Sequence, residues 1–327
     1  MQTYQTLSNV LEEDLKKQQA QLFSTSPNEL YEPMAYILGL GGKRVRPLLT
    51  LVGCDLFEGD INNSIPAALA VELFHNFSLI HDDILDNAPL RRGNTTVHEK
   101  WNTNIAILSG DGMLMKAVEI LTIANEKHIS ALLKLFTKTG IEVCEGQQLD
   151  MNFETQDNVS VQNYIDMITY KTAVLLGCSL QMGAVTANAS TENQEHVYEF
   201  GKHIGIAFQI LDDVLDVYAD ANQFGKQVGG DIIANKKTFL LLKAFELANE
   251  KQNKQLAGLL KDTAITNELK VKDVTSLYNQ LNIKQLAIDE ANKHTDIALQ
   301  HLSTLKAEES KKENLKQFAL QLLNRQA

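Results

Sequence analysis

The chain has 327 residues, 44% of them hydrophobic, with a formal net charge of −11 and only five prolines and three cysteines. Its length and apolar content suffice for a large buried core, and its acidity excludes a general binder of nucleic acid or anionic membrane, because those partners need basic surface. Cys54, Cys144 and Cys178 are odd in number, far apart and set in apolar or helical sequence, which argues against a disulfide framework or zinc site and fits a reducing, cytoplasmic setting.

Few prolines and long amphipathic stretches predict helix nearly throughout. No run of 18 uncharged apolar residues occurs, so a soluble chain without stable membrane insertion is expected. Residues 5–24 read as an amphipathic helix, and Pro33 to Leu40 as a short one closed by Gly39, Gly41 and Gly42. The stretch Gly41-Gly42-Lys43-Arg44-Val45-Arg46-Pro47 follows, with three cations beside two glycines that let backbone approach an anion. An apolar helix, Leu48 to Leu56, comes next.

The helix from Ser64 to about Asn87 carries Asp82-Asp83-Ile84-Leu85-Asp86. At about 100° per residue, Asp82, Asp86 and Asp83 fall near 0°, 40° and 100°, so three carboxylates are expected on one face. His75, seven residues before Asp82, shares that face. Uncompensated carboxylates in apolar helix are costly, and hard divalent cations take oxygen ligands, so a Mg²⁺-diphosphate site is the first expectation. Immediately beyond lie Pro89, Arg91, Arg92 and Gly93, a basic turn beside the acids.

Helices near 104–126, 129–153 and 161–188 read mostly as core, with two exceptions. Gln147, Gln148 and Asp150 put polar groups near the end of one. Lys171 and Thr172 interrupt the apolar segment Ile165 to Leu180, where a lysine needs an anion. Gly201 to Ala219 repeats the acidic pattern as Asp212-Asp213-Val214-Leu215-Asp216, with Gln209 on the same face. A loop with Asp220, Gly225, Lys226, Gly229, Gly230, Asp231, Lys236 and Lys237 follows and reads as a lid. Phe239 to Ala327 reads as amphipathic helix broken near 261–267 and 281–284. No linker or composition shift marks a second domain, so 1–327 is expected to be one.

This ordered set resembles a trans-isoprenyl diphosphate synthase, of the polyprenyl synthetase family, from about residue 25 to the end. The matching residues are Lys43, Arg44, Arg46 and Pro47, His75, both acidic pentads, Arg91-Arg92, Lys171-Thr172, Gln209, Lys226 and Lys236. The resemblance implies an all-α bundle of about a dozen helices around a deep central cavity, usually a homodimer. It implies condensation of an allylic diphosphate with isopentenyl diphosphate, head to tail. Asp82, Asp86 and Asp212 are then the expected ligands of Mg²⁺, three ions with substrate bound, with Asp83, Asp213 and Asp216 as outer partners. Arg91, Lys171, Lys226 and Lys236 are expected to clamp the allylic diphosphate. Lys43, Arg46, His75 and Arg92, taken to lack neighbouring carboxylates, are expected to hold isopentenyl diphosphate. Thr172 and Gln209 are expected to face the allylic cation.

The resemblance also places product length below the first pentad. Small Ser78 and bulky Phe77 and Phe74 suggest a short product, C20 rather than C15 or C40. A terpene cyclase would replace the second acidic pentad and needs no second diphosphate site. A noncatalytic subunit of a partner synthase would have lost some of the six carboxylates, and a calcium-buffering protein would need loop ligands that are lacking here. Arg325 reads as an exposed terminal residue.

Overall fold

The computed structural model describes residues 2–156, 158–219 and 228–324. Asp220, Gly225, Lys226 and Arg325, all singled out above, lie outside them. Helices α1 to α4 are Gln2–Phe23, Asn28–Gly39, Val45–Leu56 and Ile61–Leu85. A two-strand ribbon, β1 Leu90–Arg91 and β2 Asn94–Thr95, precedes α5 Val97–Lys100, α6 Thr103–Thr122 and α7 Glu126–Thr155. Then come α8 Val161–Ile168, a π-helical turn Thr169–Ala173, α9 Val174–Thr186 and α10 Thr191–Tyr218. The remaining helices are α11 Gly230–Ile233, α12 Phe239–Leu247, α13 Glu250–Lys261, α14 Asn267–Gln280, α15 Ile283–Thr304 and α16 Glu309–Leu323. The all-α expectation is met. No helix of the described residues is long and apolar enough to cross a membrane.

The chain divides into two compact units. The first comprises residues 1–138, 178–198 and 305–314. Its centre is α4, which packs against α3 and α6. Asp60 caps α4 by accepting the Asn62 N–H at 3.0 Å. From Ala67 to Phe74 the helix is apolar on every side except for Glu72, and a helix of that kind must be buried all round. The second unit comprises residues 139–177, 199–304 and 315–327. There Ile206, Ile210, Val214 and Val217 recur at helical spacing on α10 and pack into a core with Tyr164, Ile168, Phe239, Val274, Tyr278, Ala287 and Ala291. That stripe turns Gln209, Asp212 and Asp216 to the other side of the helix.

Several boundaries differ from expectation. Helix α2 starts at Asn28, with Pro33 inside it, because Met34, Ala35, Ile37 and Leu38 bury enough apolar surface to carry the lost N–H donor. Helix α10 starts at Thr191, ahead of Gly201. The predicted 161–188 helix is interrupted by the π turn at Lys171 and Thr172. The C-terminal stretch breaks at the expected places and also at 248–249 and 305–308.

Candidate active site

In the first unit the basic stretch and the first acidic pentad meet through side-chain contacts. Leu90 pairs with Thr95 and Arg91 with Asn94, which leaves Arg92-Gly93 as a two-residue hairpin loop. Both have positive φ, 54° and 76°, the signature of a type I′ turn. The tight turn returns Arg92 toward the chain, where its guanidinium donates to the Gly41 carbonyl. Gly42 has φ 140°, and a Cβ there would lie 2.7 Å from Arg92 Nη1, so only glycine fits.

Arg46 Nη1 lies 3.3 Å from His75 Nε2. Arginine only donates, so Nε2 accepts and His75 carries its proton on Nδ1. Burial, then the charges of Arg46, Arg92, Arg91 and Arg44, hold His75 well below the ordinary histidine range. Burial also pushes Arg46 down to about 10, and its Nε has no hydrogen-bond partner among the described residues. A half-buried guanidinium with a solvent-shielded, unused Nε donor, next to further arginines, is the electrostatic profile of an anion site. Lys43 and Arg92 are exposed at its edge.

One expectation fails here. The cluster does not lack a carboxylate: Glu72, 2% exposed, pairs with Arg44 and accepts from Asn76 Nδ2 at 2.8 Å. Arg44 also donates to the Leu38 carbonyl, so it anchors the turn from inside. Glu72 was legible as the single acid in an apolar run, a position that demands a cation, but its partner was not.

The pentads do not present three carboxylates each on one face. Asp83 and Asp213 are 1% and 6% exposed, because the 100° offset of the second aspartate turns it into the core. Asp83 accepts from Arg91 Nε at 2.9 Å and Nη2 at 2.5 Å. Asp82 is half-buried and Asp86, the residue capping α4, is exposed. Below them Ser78 donates to the His75 carbonyl at 2.9 Å. Phe74 is buried with its ring centroid 5.5 Å from Phe77 and 5.4 Å from Phe136, an aromatic that sequence reasoning missed because it comes from α7.

In the second unit a pocket of about 280 Å³ is lined by Asp150, Lys171, Thr172, Gln209, Asp212, Asp216, Asp231 and Lys236, among others. Lys171, half-buried, donates to Asp150 at 2.5 Å, so the anion it needs is already on α7. Thr172 Oγ1 donates to Gln209 Oε1 at 3.3 Å, and Gln209 Nε2 donates to Asp213 Oδ1 at 3.2 Å. Tyr164, missed from sequence, donates to the other oxygen of Asp213 at 2.5 Å. Both Asp213 oxygens are therefore occupied, and burial followed by the charge of Asp231 raises its pKa well above the carboxylate range. Asp216 accepts the Asp231 N–H at 3.0 Å and so fixes the start of α11. Lys236 sits 4.0 Å from Asp231, whereas Lys237 donates to the Phe153 and Gln156 carbonyls and ends α7.

The π turn that carries Lys171 and Thr172 needs backbone-close neighbours. A Cβ on Gly146 of α7 would lie 2.7 Å from Lys171 Cα, and one on Gly205 of α10 would lie 2.7 Å from Ala173 Cα. These obstacles are backbone and cannot swing aside. Gly146→Ala is expected to cost about 1–3 kcal/mol of stability, read by thermal denaturation, and to lower kcat by more than that loss explains, because it moves Lys171 and Thr172 together. Unchanged kcat would show that the turn is not held by this contact.

The donor set of this pocket is all oxygen and fits a hard dication such as Mg²⁺. Burial, then the Asp216 charge, pushes Asp231 up to about 6. A carboxyl whose folded pKa is raised adds stability below its unfolded pKa and loses it as pH rises through the folded value. The metal-free protein should thus lose stability as pH climbs through about 6, and Mg²⁺ should restore it. The expected result is a Mg²⁺-induced rise in Tm that is larger near pH ~7.5 than near pH ~5; scanning calorimetry at both checks it, and an equal rise would count against it.

A family model described as polyprenyl synthetase matches residues 27–281. Over 242 residues the chain is 43% identical to a short chain isoprenyl diphosphate synthase of Methanocaldococcus jannaschii, with 74% of each chain covered. Over 302 residues it is 38% identical to a geranylgeranyl diphosphate synthase of Saccharolobus solfataricus, covering 89% of this chain and 90% of the relative. Among solved structures, a geranylgeranyl pyrophosphate synthase superposes with a TM-score of 0.94 at 42% identity, covering 100% of both chains.

Proposed function

The chain belongs to the polyprenyl synthetase family and is a trans-prenyltransferase, and from that premise we propose that it condenses isopentenyl diphosphate with an allylic diphosphate, head to tail, to give a short all-trans prenyl diphosphate, with C20 favoured over C15. Residues 1–327 are taken to serve this reaction as one synthase domain made of the two compact units described above. The observation that carries the reading is the half-buried Arg46–His75 cluster, a basic anion site in a chain that also keeps both acidic pentads. A cyclase needs no second diphosphate site.

In this reading Asp82, Asp86 and Asp212 hold Mg²⁺, three ions once substrate is present, and Mg²⁺ when bound supplies the positive charge that a departing pyrophosphate requires. Asp83 orients Arg91; Asp213 locks Gln209; Asp216 positions Asp231. Arg91, Lys171, Lys226 and Lys236 bind the allylic diphosphate, and charge placed in advance is the usual source of the largest catalytic gain. Lys43, Arg46, His75 and Arg92 hold isopentenyl diphosphate, whose diphosphate is not lost. Thr172 donates its proton to Gln209, so its oxygen lone pairs are directed away from that bond and are available to a carbocation. No side chain need act as general base, since the released pyrophosphate can take the proton.

Incubation with Mg²⁺, isopentenyl diphosphate and, in turn, dimethylallyl, geranyl and farnesyl diphosphates should give linear products. Absence of Mg²⁺-dependent elongation with every starter would defeat the reading, and a cyclic product would favour the cyclase. The aromatic pair Phe74 and Phe77 is proposed to close the space below Asp82. Phe77→Ala is expected to move the main product up by at least one C5 unit, read by chain-length chromatography; an unchanged product would place the floor elsewhere.

The assembly proposed is a homodimer. In its support, Leu108 and Met115, seven residues apart on α6, are 61% and 63% exposed, and Ile123 just beyond is 72% exposed, an apolar stripe of the kind partner subunits cover. Cytoplasmic residence is supported by Cys54, Cys144 and Cys178, which form no disulfide among the described residues.

A further inference from the structure

A second group of ligating side chains lies in the second unit, away from the carboxylate pocket and unused by the reaction. Glu199 and His203 stand one turn apart on α10, and α15 brings His301 against them. One ligand atom from each of these three residues falls within 4.8 Å of the others. His203 Nε2 lies 3.7 Å from Glu199 Oε2, and the His203 and His301 rings are nearly parallel, with centroids 6.2 Å apart.

The opposite edge of His203 is held by another histidine. His203 Nδ1 and His294 Nδ1 are 2.8 Å apart, so one donates and the other accepts. His294 Nε2 in turn lies 3.5 Å from Glu290 Oε1. A proton on His294 Nε2 suits that carboxylate and leaves Nδ1 as the acceptor. His203 then donates from Nδ1 and directs the lone pair of Nε2 toward Glu199 and His301. Metal-binding histidines are commonly oriented in this manner, with the second ring nitrogen held by an outer hydrogen-bond partner.

We propose that Glu199, His203 and His301 bind a transition-metal dication of the zinc class and thereby clip α10 to α15, with His294 as the positioning residue. Two imidazoles and one carboxylate suit Zn²⁺, Co²⁺ or Ni²⁺, whereas Mg²⁺ prefers oxygen alone. Lys202, which contacts Glu199 at 2.6 Å, is the cation that the metal displaces. The site is separate from the catalytic carboxylates: His203 precedes Asp212 by nine residues on α10, about 13 Å along the axis. Its consequence is a register of α10 set from its N-terminal half by a metal other than Mg²⁺.

The test is titration of the full chain with Co²⁺ in excess Mg²⁺, followed by visible absorption. Wild type is expected to bind one equivalent with ligand-field bands, and Asp212→Ala to keep them. His203→Gln and His301→Gln should each abolish the bands, while His294→Gln should keep them with affinity lowered about 10–100-fold. In parallel, Zn²⁺ should raise Tm in wild type and leave His301→Gln unmoved; His301 is only half-buried, so this variant also serves if His203→Gln does not fold. Absence of bands in wild type, or bands that survive in His301→Gln, overturns the proposal.

Discussion

Asp212→Ala is expected to lower kcat by about 10³-fold or more, roughly 4 kcal/mol in the transition state, while the chain stays folded. Asp213 is tied on both oxygens by Tyr164 and Gln209, and Asp216 holds the Asp231 N–H. Neither has the freedom to replace Asp212. Removing one acid from this pocket also relieves like-charge repulsion on Asp231, so stability without Mg²⁺ should hold or rise. Steady-state kinetics and Tm, with and without Mg²⁺, check both halves. A variant that kept more than about a tenth of wild-type kcat would remove Asp212 from the catalytic set.

The largest loss of stability is expected from Arg44→Met. Its guanidinium pairs with Glu72 at side-chain exposures of 7% and 2%, deep enough that neither charge has water in reserve. Breaking a buried pair by removing one partner costs about 3–5 kcal/mol, because the other charge is stranded. Replacing both, as Arg44→Met with Glu72→Met, should recover most of that loss, since two apolar side chains of similar size leave no orphan charge. Denaturant titration of the single and double variants gives the coupling. If the single variant loses less than about 1 kcal/mol, the pair is ordinary surface electrostatics.

How much could be read beforehand depended on the range of the interaction. The α4 and α10 helices and their aspartates were legible because apolar periodicity and an acidic pattern are local in sequence. Helix phase placed Asp82 and Asp212, yet it overcounted the accessible acids: Asp83 and Asp213 sit 100° round, where the core lies, and only the packed structure decides which side of the stripe is buried. Lys171 demanded an anion, but that the anion would be Asp150, 21 residues away, depends on α7 lying alongside the π turn. Tyr164 and Phe136 carried no signal at all, since an aromatic in an amphipathic helix is ordinarily core. Pro33 and Gly201 misplaced two helix starts for one reason: local propensities of a few kcal/mol were outweighed by burial of the flanking apolar residues.

Helix α4 carries Phe74, Phe77, Ser78 and Asp82 on one continuous rod without a loop between them. Phe74 lies eight residues from Asp82, about 12 Å along the axis, and each turn spans about 5.4 Å. A wall built from such side chains cannot be shifted by arbitrary amounts; a substitution opens one turn or it does not. Product length in this enzyme should therefore change in discrete steps, as a ratchet does, and variants should sort into separate length classes instead of a graded series.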